Sequence, residues 1–340
     1  MTLIKQTLFF SALALLSVGT ARADDVAGLP ATQSEKEVQG DAAPDSFLGK
    51  HGKAYYLAWL TGPRTEALSG NKDGTGTNLE IRHYPTFGGK FNETLSLVFT
   101  PQFTQLYNVK PQAEQRHFTL DNPYFTLEDS KLWKNELYGL NLDAYLRYYL
   151  PTSRFTHDQN NVGYLPPDTL APNDNGRGEI RLYLNPTKSF LDGKLTLSGA
   201  MLANLKLARL SGDERLARQQ AKLDDLTDND TLVRQSEGAD LSFTPTTARE
   251  DLYVFIDPVV TYSVTPKLDL YLEYATGYLH HDTNGHWTST NHSVEGRYFS
   301  PGAYWAAAKG LSVNPYISYG PVFQGLVKAD LGLQVTYTFL

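Results

Sequence analysis

The feature that most constrains this chain is a two-residue alternation of apolar and polar side chains, repeated many times after Lys53. In the segment Leu140–Leu150, leucine, alanine and tyrosine at the even positions alternate with Asn141, Asp143 and Arg147 at odd positions. Side chains two residues apart share one face of a β-strand, whereas a helix has a period of 3.6 residues. This period predicts an all-β protein.

The alternation extends over 12 predicted strands, and the connections between them alternate between short and long. The strands are predicted near 52–61, 76–86, 90–106, 116–127, 136–150, 177–187, 193–208, 249–264, 267–281, 294–308, 311–321 and 329–339. The short connections are Phe87–Lys90, Pro186–Gly193, Thr265–Lys267 and Lys309–Gly310, and the long ones are 61–75, 107–115, 151–176, 209–248, 281–293 and 321–328. The connection near Glu128–Asn135 is ambiguous. Long loops on one side and short turns on the other are typical of outer-membrane barrels.

Closure of the sheet explains this pattern physically. In hydrocarbon every backbone N–H and C=O must find an internal partner, so a sheet that spans a bilayer can have no edge. Only one face of each strand must then be apolar, which is compatible with a mean hydropathy of −0.37. We therefore expect a transmembrane antiparallel up-and-down β-barrel of about 12 strands, with short periplasmic turns and long extracellular loops.

The N-terminus predicts export. Lys5, the apolar run Leu8–Val18 and the small-x-small site Ala21–Ala23 read as a secretory signal peptide over residues 1–23. Residues 24–49 are polar and predict a flexible periplasmic segment, which leaves residues 50–340 for the barrel. The formal net charge is −7, and loss of Lys5 and Arg22 makes it −9, which argues against nucleic acid as a partner. The chain has no cysteine, so an exported domain of this sequence has no disulfide framework.

The last strand resembles the C-terminal targeting strand of porin-like bacterial outer-membrane β-barrel proteins. Asp330, Gly332, Val335, Tyr337 and Phe339 match the positions of that pattern, although Leu340 follows the aromatic residue. The resemblance implies insertion by the barrel assembly machinery, with Gly332, Val335, Tyr337 and Phe339 as the insertion signal. It also implies a bacterial outer membrane, with its lipids and lipopolysaccharide, as the surroundings.

Charged residues on the polar faces of the strands are candidates for lining a pore. The set is Glu80, Arg82, Asp143, Arg147, Glu179, Arg181, Asp257, Asp269 and Glu273. Charges of both signs on a channel wall would select small hydrophilic solutes by charge and size. The alternative is that these charges pair across neighbouring strands and fill a closed barrel.

Two long connections are candidates for a gate, namely Pro151–Gly176 and Arg209–Ala248. Within the second, Glu214–Leu226 has the pattern of a short amphipathic helix, which could constrict the lumen, cap the barrel, contact a partner or lie in solvent. The sequence thus favours a porin-like channel for passive diffusion. The second hypothesis is a plugged, non-conducting barrel for envelope structure or surface interaction.

A barrel hydrolase is the third and disfavoured hypothesis. The segment Asn291–Ser293 faintly resembles the His/Ser region of outer membrane phospholipase A, but a dyad on one strand face needs a spacing of two residues. The histidines between His280 and His292 match no tight metal-ligand spacing, and we expect no catalytic residue, metal or other cofactor. Aromatic residues near predicted strand ends, including Tyr148, Tyr149, Tyr298 and Phe299, fit interfacial girdles or ordinary strand enrichment.

Overall fold

The computed structural model describes residues 51–64, 79–107, 118–152, 178–207, 249–282, 292–319 and 329–339, and four separate residues between 213 and 220. The predicted signal peptide, the segment 24–49 and most of each long connection lie outside these residues. Fourteen strands occupy the described ranges, all in one sheet. They are β1 (Gly52–Arg64), β2 (Leu79–Lys90), β3 (Leu95–Thr100), β4 (Phe103–Tyr107), β5 (Phe118–Leu120), β6 (Tyr124–Asn135), β7 (Leu140–Tyr149), β8 (Glu179–Phe190), β9 (Leu195–Lys206), β10 (Arg249–Thr265), β11 (Leu268–Asp282), β12 (His292–Ala308), β13 (Leu311–Ser318) and β14 (Asp330–Thr338).

The sheet closes on itself, because β1 pairs antiparallel with both β2 and β14. Every other pairing is also antiparallel and, with one local exception, joins neighbours along the chain. The seam between the ends runs from Tyr55 opposite Thr338 to Thr61 opposite Gly332. The all-β antiparallel barrel predicted from the alternation is confirmed.

Because of this exception, the fourteen strands occupy only twelve positions around the barrel. Each position is called a stave below, and two of the staves consist of two strands each. β2 pairs with β3 along one half and with β4 along the other, so β3 and β4 are two parts of one stave interrupted at Pro101. β5 and β6 form the next stave, interrupted at Asp121–Pro123, and β4 pairs with β5 while β3 pairs with β6. Proline cannot donate to the sheet ladder, which accounts for both interruptions. The predicted number of 12 strands is confirmed.

The short turns fall at one end of the barrel and differ in part from those expected. They are Phe91–Thr94, Glu136–Gly139, Leu191–Lys194, Pro266–Lys267 and Lys309–Gly310. The prediction of a turn at Phe87–Lys90 was wrong, because Gly88 and Gly89 pair with Val98 and Leu97 inside the sheet. A Cβ on Gly88 would lie 2.1 Å from the Leu97 carbonyl oxygen, so this glycine permits a close approach of two strands.

The ambiguous segment Glu128–Asn135 is also strand. β6 continues to Asn135, and the turn to β7 follows at Glu136–Gly139. The predicted short connection at Pro186–Gly193 is shorter than expected, because β8 extends to Phe190 before its turn. Proline at the edge of an apolar run is a common turn signal, but here Pro186 lies within β8 opposite Leu142 of β7.

The two faces of the wall are inverted relative to a soluble protein. On β8, Tyr183 and Asn185 are 3% and 1% exposed, whereas Ile180 and Leu182 on the other face are 37% and 40% exposed. Large apolar side chains are exposed in the same way on the other strands, including Leu146, Met201, Val260 and Leu272. Leaving this apolar area in water is costly, whereas hydrocarbon accommodates it. The outer face therefore has the chemistry of a membrane-spanning belt.

Candidate functional site: the barrel interior

The nine charged residues singled out in the sequence have inward-facing positions on the barrel wall. Each shares the parity of buried residues on its own strand, and cross-strand register links them, as where Arg147 lies opposite Arg181 and Arg181 opposite Asn204. Around the barrel they occupy the following strands: Glu80 and Arg82 on β2, Asp143 and Arg147 on β7, Glu179 and Arg181 on β8, Asp257 on β10, and Asp269 and Glu273 on β11. Within this set, every arginine shares its strand with a carboxylate, whereas β10 and β11 carry carboxylates alone.

Arg147 is the centre of the basic part. Its guanidinium carbon lies 4.9 Å from the Tyr124 ring centre and 4.7 Å from the Tyr183 ring centre. Its Nε donates to Thr126 Oγ1 at 3.2 Å, and Nη1 donates to the Tyr183 hydroxyl at 3.3 Å. Among the described residues it forms no ion pair, so its charge is held by aromatic faces and neutral oxygens.

Arg181 lies beside it and is held differently. Its Nη2 donates to Glu179 Oε2 at 3.0 Å, and its guanidinium lies 4.2 Å from the Tyr149 ring centre. Asn204 Nδ2 donates to the same Glu179 oxygen at 3.0 Å. This carboxylate accepts bonds from two strands, which fixes the height of Arg181 on the wall.

Two further charged pairs lie on β2 and at the start of β1. Arg82 donates to Glu80 within β2 and interacts with the Tyr84 hydroxyl. Lys53 forms an ion pair with Glu128 of β6, which also accepts a bond from Ser96 at 3.0 Å. Sequence reasoning missed this pair, because Lys53 and Glu128 lie 75 residues apart and two strands, β2 and β3, lie between them in the sheet.

The acidic part of the wall is formed by Asp257 and Glu273. Asp257 and Glu273 are 3% and 7% exposed, and their side chains lie within hydrogen-bonding reach of each other. The Tyr298 hydroxyl also bonds Glu273. Among the described residues, no lysine or arginine forms an ion pair with either carboxylate. This part of the wall therefore carries carboxylates alone, whereas the part with Arg147 and Arg181 carries charges of both signs.

Aromatic side chains form much of two buried clusters on the inner faces of the strands. One buried cluster contains Leu57, Trp59, Tyr84, Tyr124 and Tyr149, with Tyr316 packed against it. It draws on strands from β13 round to β7, so these side chains meet inside the barrel. Trp59 Nε1 donates to the Tyr316 hydroxyl at 2.5 Å.

A second cluster covers the rest of the wall, from β7 to β12. It contains Tyr183, Leu202, Tyr253, Phe255 and Ala275. Between the two clusters, Tyr271 donates to Asn314 at 2.9 Å, and Asn314 donates to Gln334 at 3.1 Å. The interpretation of Tyr149 and Tyr298 as interfacial girdle residues was wrong, since Tyr149 is in a buried interior cluster and Tyr298 packs against the other. Alternation alone places a tyrosine on the inner face but does not show what it meets there.

The C-terminal strand β14 carries the residues that match the targeting pattern. Gly332 lies on the inner face opposite Tyr316, whereas Val335, Tyr337 and Phe339 have the opposite parity. Phe339 is 49% exposed and stacks edge-on against Tyr337 at 4.7 Å. The aromatic end of the chain is thus presented on the outer surface beside β1.

The described residues give no support for a catalytic centre in the segment near His292. His292 and Ser293 are consecutive residues of β12, and their side chains lie outside the described part of the chain, as does Asn291. No group of three or more histidine, aspartate or glutamate residues in the described ranges could hold a metal ion. Within the same ranges, no helix is both long and apolar enough to cross a membrane.

Closure, an even number of strand positions, an apolar outer belt and long connections at one end together define the architecture of an outer-membrane β-barrel. No protein-family model matches the chain, and no curated protein matches its sequence.

Several solved barrels are similar in fold. An outer membrane channel from Pseudomonas putida F1 is 13% identical, covering 85% of this chain and 96% of that one, with a TM-score of 0.44. The NanC porin is 6% identical, covering 84% and 99%, with a TM-score of 0.42. Outer membrane phospholipase A from Escherichia coli is 12% identical, covering 84% and 95%, with a TM-score of 0.35. Similarities of this size say nothing about activity, which must be argued from the interior itself.

Proposed function

We propose that this protein is an outer-membrane channel for passive diffusion of small hydrophilic solutes, and that it is not an enzyme. The proposal includes export by a signal peptide cleaved after Ala23, a periplasmic segment 24–49 and a barrel from residue 50. It also includes insertion by the barrel assembly machinery through Gly332, Val335, Tyr337 and Phe339, and contact with outer-membrane lipids and lipopolysaccharide.

The observation that carries the proposal is the uneven distribution of charge inside the barrel. Arg82, Arg147 and Arg181 each share a strand with a carboxylate, whereas β10 and β11 carry carboxylates without an arginine of this set. The carboxylates are Glu80, Asp143 and Glu179 on the arginine strands, and Asp257, Asp269 and Glu273 on β10 and β11. Closed barrels need no such charges, since apolar side chains fill an interior more cheaply than buried charges do. Charges facing a water-filled path, in contrast, select solutes by sign and orientation.

The aromatic clusters support the second candidate, a plugged barrel that does not conduct. Tyr84, Tyr124 and Tyr149 are each less than a tenth exposed, so little water reaches this height of the interior. If these side chains and a long connection seal the lumen, the protein would present loops for surface interaction instead. For the protein to be a channel, these tyrosines and the long connections must leave a narrow water-filled path through the barrel, or must move to open one.

Reconstitution in a planar bilayer separates the two. Purified full-length protein should give discrete conductance steps, and their absence at several voltages would establish the plugged barrel instead. Heat-modifiable mobility of each preparation verifies that the protein is folded.

Charge selectivity tests which wall the solute meets. In a salt gradient, Arg147→Met and Arg181→Met should each shift the reversal potential toward cation preference, because each removes a positive charge from the path. Glu273→Gln should shift it in the opposite direction. Equal reversal potentials in all variants would show that the path avoids these residues.

The long connection 209–248 is proposed as the gate, together with 151–176. Asp213, Glu214, Ala217 and Gln220 are helical and exposed, as the amphipathic pattern predicts for this part of the connection. Deleting residues 214–226 should raise conductance if they constrict the lumen. A deletion of equal length, 154–166, tests the other connection. Unchanged conductance in both would show that neither forms the constriction.

A further inference from the structure

Three oxygen-bearing side chains occupy neighbouring inner positions of β10, β11 and β12, and Tyr304 lies further along β12. Glu273 lies directly opposite Ser300 in the register, and Asp257 lies one inward position along from Val259, the partner of Glu273 on β10. Directly opposed side chains on one face have Cβ atoms about 5 Å apart. Tyr304, four residues after Ser300, lies opposite Asp269 on the same face and stacks on Tyr271 at 4.5 Å between ring centres.

Several of these oxygens have no hydrogen-bond partner among the described residues. They are Asp257 Oδ1, Ser300 Oγ and the Tyr304 hydroxyl. Ser300 is only 1% exposed, so its hydroxyl is also withdrawn from solvent. Buried polar atoms are nearly always satisfied, and each exception needs an explanation such as a bound ion.

The charge of Asp257 and Glu273 is a second indication of a bound ion, beside the oxygens that lack a hydrogen-bond partner. Two carboxylates lie side by side, and no basic side chain of the described residues pairs with them. Burying unpaired charges is costly, so they require neutralisation by a proton or by a cation. A cation would also use the oxygens of Ser300 and Tyr304, which a proton shared by the two carboxyl groups leaves without a partner.

We infer that Asp257, Glu273 and Ser300 form a calcium-binding site inside the barrel, with Tyr304 beside it. All donors are oxygens, which suits a hard cation, and calcium accepts irregular arrangements of carboxylate, neutral oxygen and water ligands. Magnesium demands near-ideal octahedral geometry, which a site spread over three strands does not favour. The bound ion would tie β10, β11 and β12 together and reduce the negative charge of this wall.

Equilibrium dialysis of the refolded full-length protein against calcium chloride, after treatment with EDTA, tests the site. The native chain should take up one calcium ion. Asp257→Asn combined with Glu273→Gln should lower the affinity at least tenfold, whereas Asp143→Asn, which removes one charge from the inner face of β7, should retain the site. Ser300→Ala keeps both charges and should weaken binding several-fold, which provides a test even if the double variant does not fold.

Absence of saturable calcium uptake by the native chain would show that the carboxyl pair is neutralised by protons alone, and would overturn the inference. Retention of native affinity in the folded double variant would also overturn it. The measurement uses no electrical current, so a protein that binds calcium but is silent in the bilayer would refute the proposed channel and leave the calcium site standing.

Discussion

Gly332 offers a sharp test of how the interior is packed. Tyr316 lies directly opposite it across β13 and β14, and a Cβ built on Gly332 would be 1.9 Å from the Tyr316 ring. Ordinary contacts of this kind are longer than 3.4 Å, so in Gly332→Ala the ring must move. Moving it breaks the 2.5 Å bond from Trp59 to the Tyr316 hydroxyl.

The expected cost follows from these two effects. Overpacking a well-filled interior costs about 1–3 kcal/mol. Loss of one neutral hydrogen bond adds about 1 kcal/mol, and the removal of glycine from a strand returns about 0.5–1 kcal/mol. We therefore expect Gly332→Ala to lower the free energy of unfolding by about 1–3 kcal/mol.

Urea unfolding of the refolded barrel in lipid vesicles measures this cost. Gly89→Ala is the matched control, since its Cβ would meet only the His51 carbonyl oxygen, at 3.4 Å. In a Tyr316→Ala background, the effect of Gly332→Ala should fall to near zero, because the ring that it displaces is gone. An equal loss of stability with and without the Tyr316 ring would refute the packing argument. Impaired assembly in cells with native stability in vitro would instead indicate that Gly332 acts through the insertion signal.

Two other substitutions test the wall itself. Gly88→Ala should destabilise the barrel much more than Gly89→Ala, because its Cβ would lie 2.1 Å from the backbone oxygen of Leu97, and urea unfolding of the two variants should separate them clearly. Leu182→Arg on the outer face should cost about 2–4 kcal/mol in vesicles if it lies at the bilayer midplane. Leu137→Arg, in the turn between β6 and β7 and 83% exposed, should cost little, and equal effects of the two arginines would contradict the position of the belt.

The fold was accessible from sequence because lipid and lumen impose the same two-residue period on every stave. On β7 this period separated Leu146 from Asp143 and Arg147 without any knowledge of their neighbours, and the structure has them on opposite faces. Closure could be argued in the same way, since an unpaired edge has no partner in hydrocarbon. The two-residue period can be seen in a short stretch of sequence, although it is caused by the lipid outside and the lumen inside the barrel.

Strand ends and interior contacts could not be predicted in this way. Gly88 and Gly89 have the composition of a turn, yet the turn is at Phe91–Thr94, because the glycines are needed where β2 and β3 approach closely. Lys53 and Glu128 meet although β2 and β3 lie between their strands, and alternation carries no information on which strands are neighbours. Both misses concern contacts between strands, which no periodicity encodes.

Some of the interior tyrosines have a structural role, because they pack over glycines of the neighbouring strand. Glycines pair with them on the inner face: Gly302 lies opposite Tyr271 and Gly332 opposite Tyr316, so each ring lies flat over a residue with no side chain. This arrangement, in which an aromatic ring covers a cross-strand glycine, pins the register of a curved sheet. It also places the rings of Tyr271 and Tyr316 against the wall at these two positions. Both tyrosines are therefore compatible with a narrow polar path through the interior, which is the path that the conductance measurements would detect.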